Sequence, residues 1–442
     1  MAESNVAIIT ELKTFLEKKS NNSNEREQYT FSPKSFLRKR VLTFERISVL
    51  IVSSLKRTLS LELSKFSELF SVGLSCSKQA FCEQRAKLAP SFFHDWNQVF
   101  VQSFYQHHRK NIKTWKDLIV WAVDGSTISL PQTEELRNVF GWASSSSESS
   151  GKVTARVCLI SDVLNEVVVS GRLHSYFSSE EDAFINVLDG KDTEGKVLIF
   201  DRGYPSYWLE YLLMQKGVKF IMRVKKNENK QIIDFLSSDA MDITEDWYPS
   251  YKSLKKLESL GMDINQRTPI KIRMIKVLLN TGETEALITN LYDTEKYDAK
   301  SMEQAYHFRW GIETTYSTLK EKLQLEQFSG IRQICIEQDF FANLFLYNLQ
   351  CLIEKQAEPY LENVNKKRKH NYKINKNVSL GILKEHVVRL FMGNDCRQAL
   401  RDLEKLFGNY LEPVRPGRKY PRFLKQRPNK KYYTLTNYKR AL

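Results

Sequence analysis

Short runs of apolar, branched residues alternate with longer mixed segments through the middle of the chain. Four of these runs predict buried strands, because they are too short for core helices and rich in Val and Ile; they cover 118–123, 153–160, 166–173 and 196–200. Helical patterns follow residues 179 and 205. Three strands in succession, then strand and helix in alternation, predict an α/β core that begins near Trp115.

The first 112 residues have helical patterns. The N-terminus has the spacing of an amphipathic helix and no secretory signal. Apolar residues at helical spacing follow Thr43, a suitable N-cap, and a further helix is predicted over 59–70. Gly73 interrupts the pattern, and Ser77 can cap a helix that runs to Leu88.

The helix after Ser77 carries polar and basic side chains between apolar ones. A helix, a glycine-containing turn and a polar helix are typical of a helix-turn-helix-like reader of duplex DNA. The candidate DNA-binding residues on this helix are Lys78, Gln79, Gln84, Arg85 and Lys87. Any small helical bundle has such helices, so a bundle without DNA contacts is the alternative.

Three later runs, over 220–226, 270–279 and 285–292, favour strands. They predict a largely β insertion over 219–290, in a connection too long for a simple crossover. Within it, Lys271, Arg273 and Lys276 could face DNA. A single helix is predicted over 300–325. The apolar stretch 340–353 is too short to span a bilayer and predicts a core helix.

Two of the predicted strands end in a carboxylate. Asp124 follows the first run, in VDGST, and Asp201 follows the fourth, in FDRGY. Sites form at strand ends in sheets with crossover helices. Each aspartate alone more often caps a helix or begins a turn. With an acid from a helix, however, the two could bind two hard cations for phosphodiester chemistry.

A polar stripe follows on the helix predicted over 300–325. Tyr306, Arg309, Glu313 and Lys320 would fall within roughly 60° of one another on a helix that turns about 100° per residue. Such a stripe suits a phosphate held beside a carboxylate-bound metal. The alternative is a solvated helix face, since charged residues three or four apart stabilise exposed helices.

With these residues in this order, the chain resembles the bacterial cut-and-paste insertion-sequence transposases of the three-acid (DDE) type, in the subgroup with the Y-x2-R-x3-E-x6-K signature. The resemblance runs from about residue 30 to the C-terminus and is strongest over 118–330. It implies that Asp124, Asp201 and Glu313 are catalytic and bind two Mg²⁺ or Mn²⁺ ions per active site. It also implies that Tyr306, Arg309 and Lys320 contact DNA phosphates.

The resemblance further implies a ribonuclease-H-like α/β core with a β-rich insertion, a helical N-terminal DNA-binding domain and a helical, basic C-terminal region. The expected division is 1–112 for the DNA-binding domain, 113–218 and 291–345 for the core, 219–290 for the insertion and 346–442 for the C-terminal region. The implied partners are double-stranded DNA, as element ends and as target, and a second copy in a homodimer that pairs the ends.

Members of this subgroup form a DNA hairpin, which requires an aromatic residue to receive an extruded base. The family often places a tryptophan in the insertion, where this chain has Glu285 and Ala286. Trp310 is the candidate that remains for base stacking, with Trp247 behind it. The alternative is that Trp310 packs its helix against the sheet.

Charge supports a nucleic-acid partner. The net charge is +15, and residues 413–442 contain ten Lys or Arg and no Asp or Glu. Aromatic residues alternate with these charges, so the tail could bind phosphates and stack on bases. A solvated tail is the alternative.

Six scattered cysteines without a C-x-x-C pair indicate a reducing compartment, and we expect a cytoplasmic bacterial protein associated with the nucleoid. No membrane partner and no nucleotide cofactor are expected, because neither a membrane span nor a phosphate-binding loop is present. Two other functions stay open: a ribonuclease-H-fold nuclease without strand transfer, and a non-catalytic DNA-binding relic.

Overall fold

The structure is a computed structural model that describes residues 2–38, 41–53, 58–68, 76–144, 151–278 and 284–415. Its α-helices are α1 (Ala2–Asn21), α2 (Ser23–Glu27), α3 (Phe44–Val52), α4 (Leu59–Glu68), α5 (Lys78–Arg85), α6 (Ser91–His107), α7 (Glu134–Phe140), α8 (Glu180–Leu188), α9 (Tyr207–Gln215), α10 (Lys230–Ser237), α11 (Tyr251–Ser259), α12 (Ala299–His307), α13 (Trp310–Ser317), α14 (Gln333–Lys366), α15 (Lys376–Met392) and α16 (Cys396–Asn409). None of the helices described is both long and apolar enough to cross a membrane.

The strands are β1 (Ile119–Ser129), β2 (Trp142–Ala143), β3 (Lys152–Asp162), β4 (Val167–Ser175), β5 (Lys196–Phe200), β6 (Lys219–Val224), β7 (Asp242–Trp247), β8 (Ile270–Leu278), β9 (Thr284–Thr289), β10 (Tyr372–Ile374) and β11 (Leu411–Pro413). The four strands predicted for the core are present as β1, β3, β4 and β5, and the mixed α/β class is confirmed. Residues 145–150, 279–283 and 416–442, the last of which include most of the basic tail, lie outside the described residues.

The chain divides into two compact units, and the first comprises residues 1–110, 128–155 and 317–442. It is mainly helical: α1 packs on α6, α6 on α14, and α14 and α15 on α16. In its core the buried ring of Trp96 stacks on Phe345 with centroids 4.4 Å apart. The predicted N-terminal and C-terminal helical regions therefore share one unit, and the functional division into five parts stays a prediction.

Local sequence determines where the helices of this unit begin. The hydroxyls of Thr43 and Ser77 accept hydrogen bonds from the amides of Arg46 and Ala80, so both predicted N-caps are confirmed. The predicted core helix over 340–353 lies within α14, and its apolar residues there are buried except for the half-buried Phe341.

The second unit comprises residues 111–127 and 156–316 and contains most of the sheet. Its strands lie in the order β4-β3-β1-β5-β6-β9-β8-β7. Strands β1, β5 and β6 are parallel neighbours, and β9, β8 and β7 continue the same sheet in antiparallel pairs. Val120, Val197, Ile199, Ile221 and Leu287 belong to its buried core.

The predicted insertion is less uniform than its strand patterns suggested. Helices α10 and α11 lie between strands β6, β7 and β8, so the segment 219–290 is a mixed extension of the sheet rather than a largely β insertion. The difference arises because Asn229 and Ser250 cap two short amphipathic helices between the strands.

Candidate active site

Two neighbouring parallel strands bring Asp124 and Asp201 side by side. In the β1–β5 pair, Val123 lies opposite Phe200, so the two aspartates are the next residues along each strand. Neighbouring strands lie about 4.8 Å apart, which makes the two residues neighbours across the sheet. The prediction that the first strand ends at Asp124 is wrong, however, because β1 continues to Ser129. Asp124 marks the end of the pairing with β5 and not the end of its strand.

The environment of Asp124 favours its protonated form. The pKa of Asp124 is raised to about 7, mainly by burial; the charges of Asp201 and Glu180 also raise it, whereas Arg309 and the Gly125 amide lower it. That amide donates to Asp124 Oδ1 at 2.9 Å. The carboxylates of Asp201 and Glu180 therefore add negative charge around Asp124, and a divalent cation would neutralise this charge.

The segment with the signature is not one helix. Helix α12 ends at His307, the next two residues form a turn, α13 begins at Trp310, and a π-helix covers Thr318–Lys322. The prediction of one helix over 300–325, with a single polar stripe, is therefore wrong. In the turn, the amides of Phe308 and Arg309 bond to carbonyls three residues back instead of four, which ends the regular helix.

Three signature residues nevertheless meet in the second unit. Tyr306 Oη donates to Asp201 Oδ1 at 3.1 Å, and Arg309 Nη2 donates to Glu313 Oε1 at 2.9 Å. Arg309 is only 5% exposed and also interacts electrostatically with Asp124 and Asp201. A buried guanidinium is thus the cation shared by all three acids.

Burial and neighbouring charge fix the protonation of these partners. Burial is the main cause of the raised pKa of Tyr306, and the charge of Asp201 is the second. The hydroxyl therefore stays neutral and can donate a hydrogen bond. Burial alone would lower the pKa of Arg309, but Tyr306, Asp201 and Glu313 outweigh it and raise the pKa. Arg309 therefore stays charged throughout the working pH range.

Lys320, the last residue of the signature, lies in the π-helix, which belongs to the first compact unit. Its side chain is half-buried. The prediction that it contacts phosphate at the same site stays a prediction.

Two contacts that the sequence patterns did not reveal hold the helix of Glu313 against the sheet. Tyr316 Oη donates to the carbonyl of Asp124 at 2.9 Å and lies 3.3 Å from the carbonyl of Val157. Gly311 packs so closely that a Cβ atom there would lie 2.8 Å from Val163 Cβ. The sequence offered one indication of these contacts: Gly311 lies two residues before Glu313, and Tyr316 lies three residues after it.

The acids suit a hard cation chemically, because carboxylate oxygens are the preferred ligands of Mg²⁺. Among the described residues, no three His, Cys, Asp or Glu side chains are close enough to share an ion. Asp124 and Asp201 are neighbours, whereas Glu313 is paired with Arg309. A three-acid site would therefore require Glu313 to move closer to the two aspartates.

The sequences to which this chain is similar belong to transposases. The family model described as "Transposase DDE domain" matches residues 115–349, more than half of the chain. The chain belongs to the DDE transposase family. It is similar to the putative transposase y4zB of Sinorhizobium fredii (strain NBRC 101917 / NGR234), 26% identical over 35% of this chain and 42% of that protein. The chain thus aligns with less than half the length of this relative.

A second relative is the transposase InsG for insertion sequence element IS4 of Escherichia coli (strain K12). It is 20% identical over 71% of this chain and 69% of that protein. Among solved structures, a piggyBac transposase synaptic complex with hairpin DNA aligns with a TM-score of 0.41 and 10% identity, over 91% of this chain and 85% of that chain.

A cavity of about 720 Å³ in this DDE transposase domain is lined by Tyr306 and Arg309, which contact the acids, and by none of the three acids themselves. Tyr306, Arg309, Trp310, Arg223 and Glu285 are among the residues that line it. Trp310 is 52% exposed, so the alternative that it packs its helix against the sheet is wrong. Its ring lies 5.2 Å from the guanidinium carbon of Arg309. Glu285 forms an ion pair with Arg223, at the position where the family often has tryptophan.

The second aromatic candidate, Trp247, is not available for stacking. It is only 4% exposed and belongs to the buried face of β7. Trp310 is therefore the one of the two candidates that a DNA base could reach.

One of the N-terminal DNA-binding candidates is misassigned. Arg85 is 2% exposed and donates to Gln338, Ser329, Cys335 and Asp339 within the first unit. It is held inside the protein because its charge is paired with Asp339. The remaining candidates are the exposed Lys78, Gln79 and Lys87 and the half-buried Gln84.

Two basic residues of β8 are likewise structural. Arg273 is completely buried and pairs with Asp242, and Lys276 is 7% exposed and donates to the carbonyl of Ser238. Their predicted orientation towards DNA is wrong, because each has a polar partner inside the fold. Lys271, on the same strand, is exposed.

Proposed function

We propose that this DDE transposase belongs to the Y-x2-R-x3-E-x6-K subgroup, binds the ends of its mobile element, cleaves them and joins the 3′-hydroxyl ends to target DNA. The observation that carries the proposal is that Asp124 and Asp201 follow paired positions of β1 and β5, while Tyr306 contacts Asp201 and the Arg309–Glu313 pair forms at the start of α13. Three successive core strands followed by strand–helix alternation support a ribonuclease-H-like core.

Asp124, Asp201 and Glu313 would hold two Mg²⁺ or Mn²⁺ ions, which would activate the attacking oxygen and stabilise the leaving one. Water would attack the phosphodiester at an element end, break its bond to the 3′ oxygen and leave a 3′-hydroxyl. That hydroxyl would attack the opposite strand or the target by the same in-line displacement. No covalent intermediate with the protein is required.

Arg309 donates to Oε1 of Glu313, which leaves Oε2 as the oxygen that would bind a metal ion. The Nε of Arg309 has no hydrogen-bond partner among the described residues and would donate to phosphate. Tyr306 would orient Asp201 through its hydroxyl, or turn that hydroxyl to the phosphate when DNA is bound. Lys320 would supply a further positive charge on the DNA backbone.

The cavity beside Trp310 supports a hairpin step, in which an extruded base needs an aromatic surface. The exposed Lys78, Gln79 and Lys87 are the residues of α5 best suited to contact the element ends. A homodimer would hold two ends together, with the basic tail beyond residue 415 adding phosphate contacts.

The acids can be tested with variants that preserve shape. Asp124→Asn, Asp201→Asn and Glu313→Gln each remove a charged oxygen ligand, so each should abolish cleavage and leave DNA binding unchanged. The substrate is a supercoiled plasmid that carries the gene with its flanking DNA, incubated with Mg²⁺ or Mn²⁺. Asp189→Asn, which changes an exposed acid at the end of α8, is the matched control.

Three results would contradict the proposal in different ways. Wild-type cleavage by any one of the three variants would remove that residue from the site. Metal-dependent nicking without joining of a labelled end to plasmid would identify a nuclease. Binding without any cleavage by the unaltered protein would identify a relic.

A further inference from the structure

A fourth carboxylate, Glu180, lies against the backbone next to both aspartates. It is the first residue of α8. A Cβ atom at Gly125 would lie 3.3 Å from Glu180 Cγ and Cδ, and one at Gly203 would lie 2.9 Å from Glu180 Oε2. Neither glycine has a left-handed φ. Space for Glu180, rather than backbone conformation, therefore explains glycine at both positions.

One ion pair holds the Glu180 side chain in this place, and a helix cap fixes the backbone that carries it. Arg156 on β3 donates from Nη1 to Glu180 Oε1 at 2.7 Å, and the arginine side chain is 17% exposed. The start of α8 is fixed by Ser179, whose hydroxyl accepts from the amide of Asp182. Glu180 thus cannot swing aside without breaking its ion pair.

We infer that Glu180 is a positioning residue for this active site: oriented by Arg156, its carboxylate packs against Gly125 and Gly203 and so fixes the backbone beside Asp124 and Asp201 where the β1–β5 pairing ends. Gly125 directly follows Asp124, and Gly203 follows Asp201 by two residues. A shift of either glycine therefore moves the aspartate beside it. The effect on cleavage rests on the proposed function, whereas the packing does not.

The charge of Glu180 fits the same role. It lies close enough to contribute to the raised pKa of Asp124, after burial and the charge of Asp201. Without Glu180, the site would lose one of the negative charges that attract a divalent cation. We therefore expect both a slower reaction and a weaker response to metal.

The first experiment is a cycle of melting temperatures for the unaltered protein, Glu180→Ala, Gly203→Ala and the double variant, without metal. The methyl group at Gly203 collides with a fixed carboxylate, so Gly203→Ala should lower the melting temperature. In the double variant the collision is gone, and much of that loss should be recovered. Additive effects of the two changes would overturn the inference.

The second experiment measures plasmid cleavage over a range of Mn²⁺ concentrations. Loss of a residue that orients metal ligands typically costs about 10–100-fold. Glu180→Ala should slow cleavage by this factor, raise the Mn²⁺ concentration needed for half-maximal rate and leave DNA binding unchanged. Glu180→Gln, which keeps the shape but loses the ion pair, should fall between. Glu181→Ala, the adjacent acid on α8, is the control.

Mn²⁺-induced increases in melting temperature provide a readout that needs no catalysis. The increase should be smaller in Glu180→Ala than in the unaltered protein or Glu181→Ala. Wild-type cleavage and Mn²⁺ dependence in Glu180→Ala would overturn the positioning role while the proposed function stands. If the unaltered protein does not cleave, the proposed function fails, and the thermal measurements alone decide the role of Glu180.

Discussion

Arg85→Ala should destabilise the first compact unit, because it removes a buried guanidinium with four hydrogen-bond acceptors. The donors of Arg85 reach Gln338 Oε1 at 2.6 Å, Ser329 Oγ at 2.5 Å, the carbonyl of Cys335 at 3.0 Å and Asp339 Oδ1 at 2.8 Å. Helix α5 is thereby bonded to the start of α14, some 250 residues later in the chain.

The loss of stability in Arg85→Ala depends on which hydrogen bonds Asp339 and Gln338 retain once the arginine is gone. Removal of one member of a buried ion pair costs about 3–5 kcal/mol, because the other charge is left without a counterion. Asp339 still accepts from the amide and hydroxyl of Ser329, and Gln338 still donates to the carbonyl of Leu88. The cost should therefore lie at the lower end, about 3 kcal/mol.

Native-state hydrogen exchange, followed by mass spectrometry, measures this loss locally. Amides of α5 and of the first turns of α14 that exchange through opening of this contact should exchange roughly 150-fold faster in Arg85→Ala, since about 1.4 kcal/mol is a factor of ten. Lys87→Ala, two residues away and exposed, is the matched control and should change stability by less than about 0.5 kcal/mol.

The opposite pattern would refute the reasoning. If Arg85→Ala leaves exchange in both helices unchanged and weakens DNA binding as much as Lys78→Ala does, Arg85 is a surface contact. The sequence-based assignment would then be right and the buried ion pair with Asp339 wrong.

Two further predictions concern the second unit. Burial raises the pKa of Glu210 to about 8. Between about pH 4.5 and 8 the folded state therefore keeps a proton on Glu210 that the unfolded state releases. The stability present at low pH is lost as the pH rises through this range. Glu210→Gln should thus melt higher than wild type at alkaline pH and similarly at acidic pH; parallel pH profiles would contradict this. Trp310→Ala should reduce the hairpin product and leave the first nick unchanged, because stacking contributes about 1–3 kcal/mol per base. Trp310→Phe should still form the hairpin. Equal loss of nicked and hairpin products on gels would contradict a stacking role for Trp310.

Strands and helix starts could be predicted from sequence because their causes are local. Branched apolar runs became β1, β3, β4 and β5, and the hydroxyls of Thr43 and Ser77 cap the helices that they precede. The neighbouring positions of the two aspartates also follow from local pattern, once β1 and β5 pair in parallel.

The errors share a different physical cause, namely partners that are distant in sequence. Arg85 has the spacing of an exposed helix residue, yet its counterion is Asp339. Arg273 alternates along its strand as a surface residue would, yet it pairs with Asp242 and donates to two backbone carbonyls. A polar residue with a buried partner has the same sequence pattern as one facing solvent, so periodicity cannot distinguish them.

The signature residues Tyr306, Arg309 and Glu313 form separate hydrogen bonds and do not make one continuous stripe on a helix. The spacing of four between Arg309 and Glu313 places them one helical turn apart, and they pair although Arg309 precedes the first residue of α13. The break before α13 gives Tyr306 a separate helix, from which it reaches Asp201. In an unbroken helix, the directions of Tyr306 and Arg309 would be fixed relative to each other. The turn between α12 and α13 allows Tyr306 to align with Asp201 and Arg309 to align with Glu313 separately. The signature therefore combines one local ion pair, Arg309–Glu313, with one contact to a distant residue, Tyr306–Asp201, on either side of a turn. The helical projection brought Tyr306, Arg309 and Glu313 together without either the turn or the contact to Asp201.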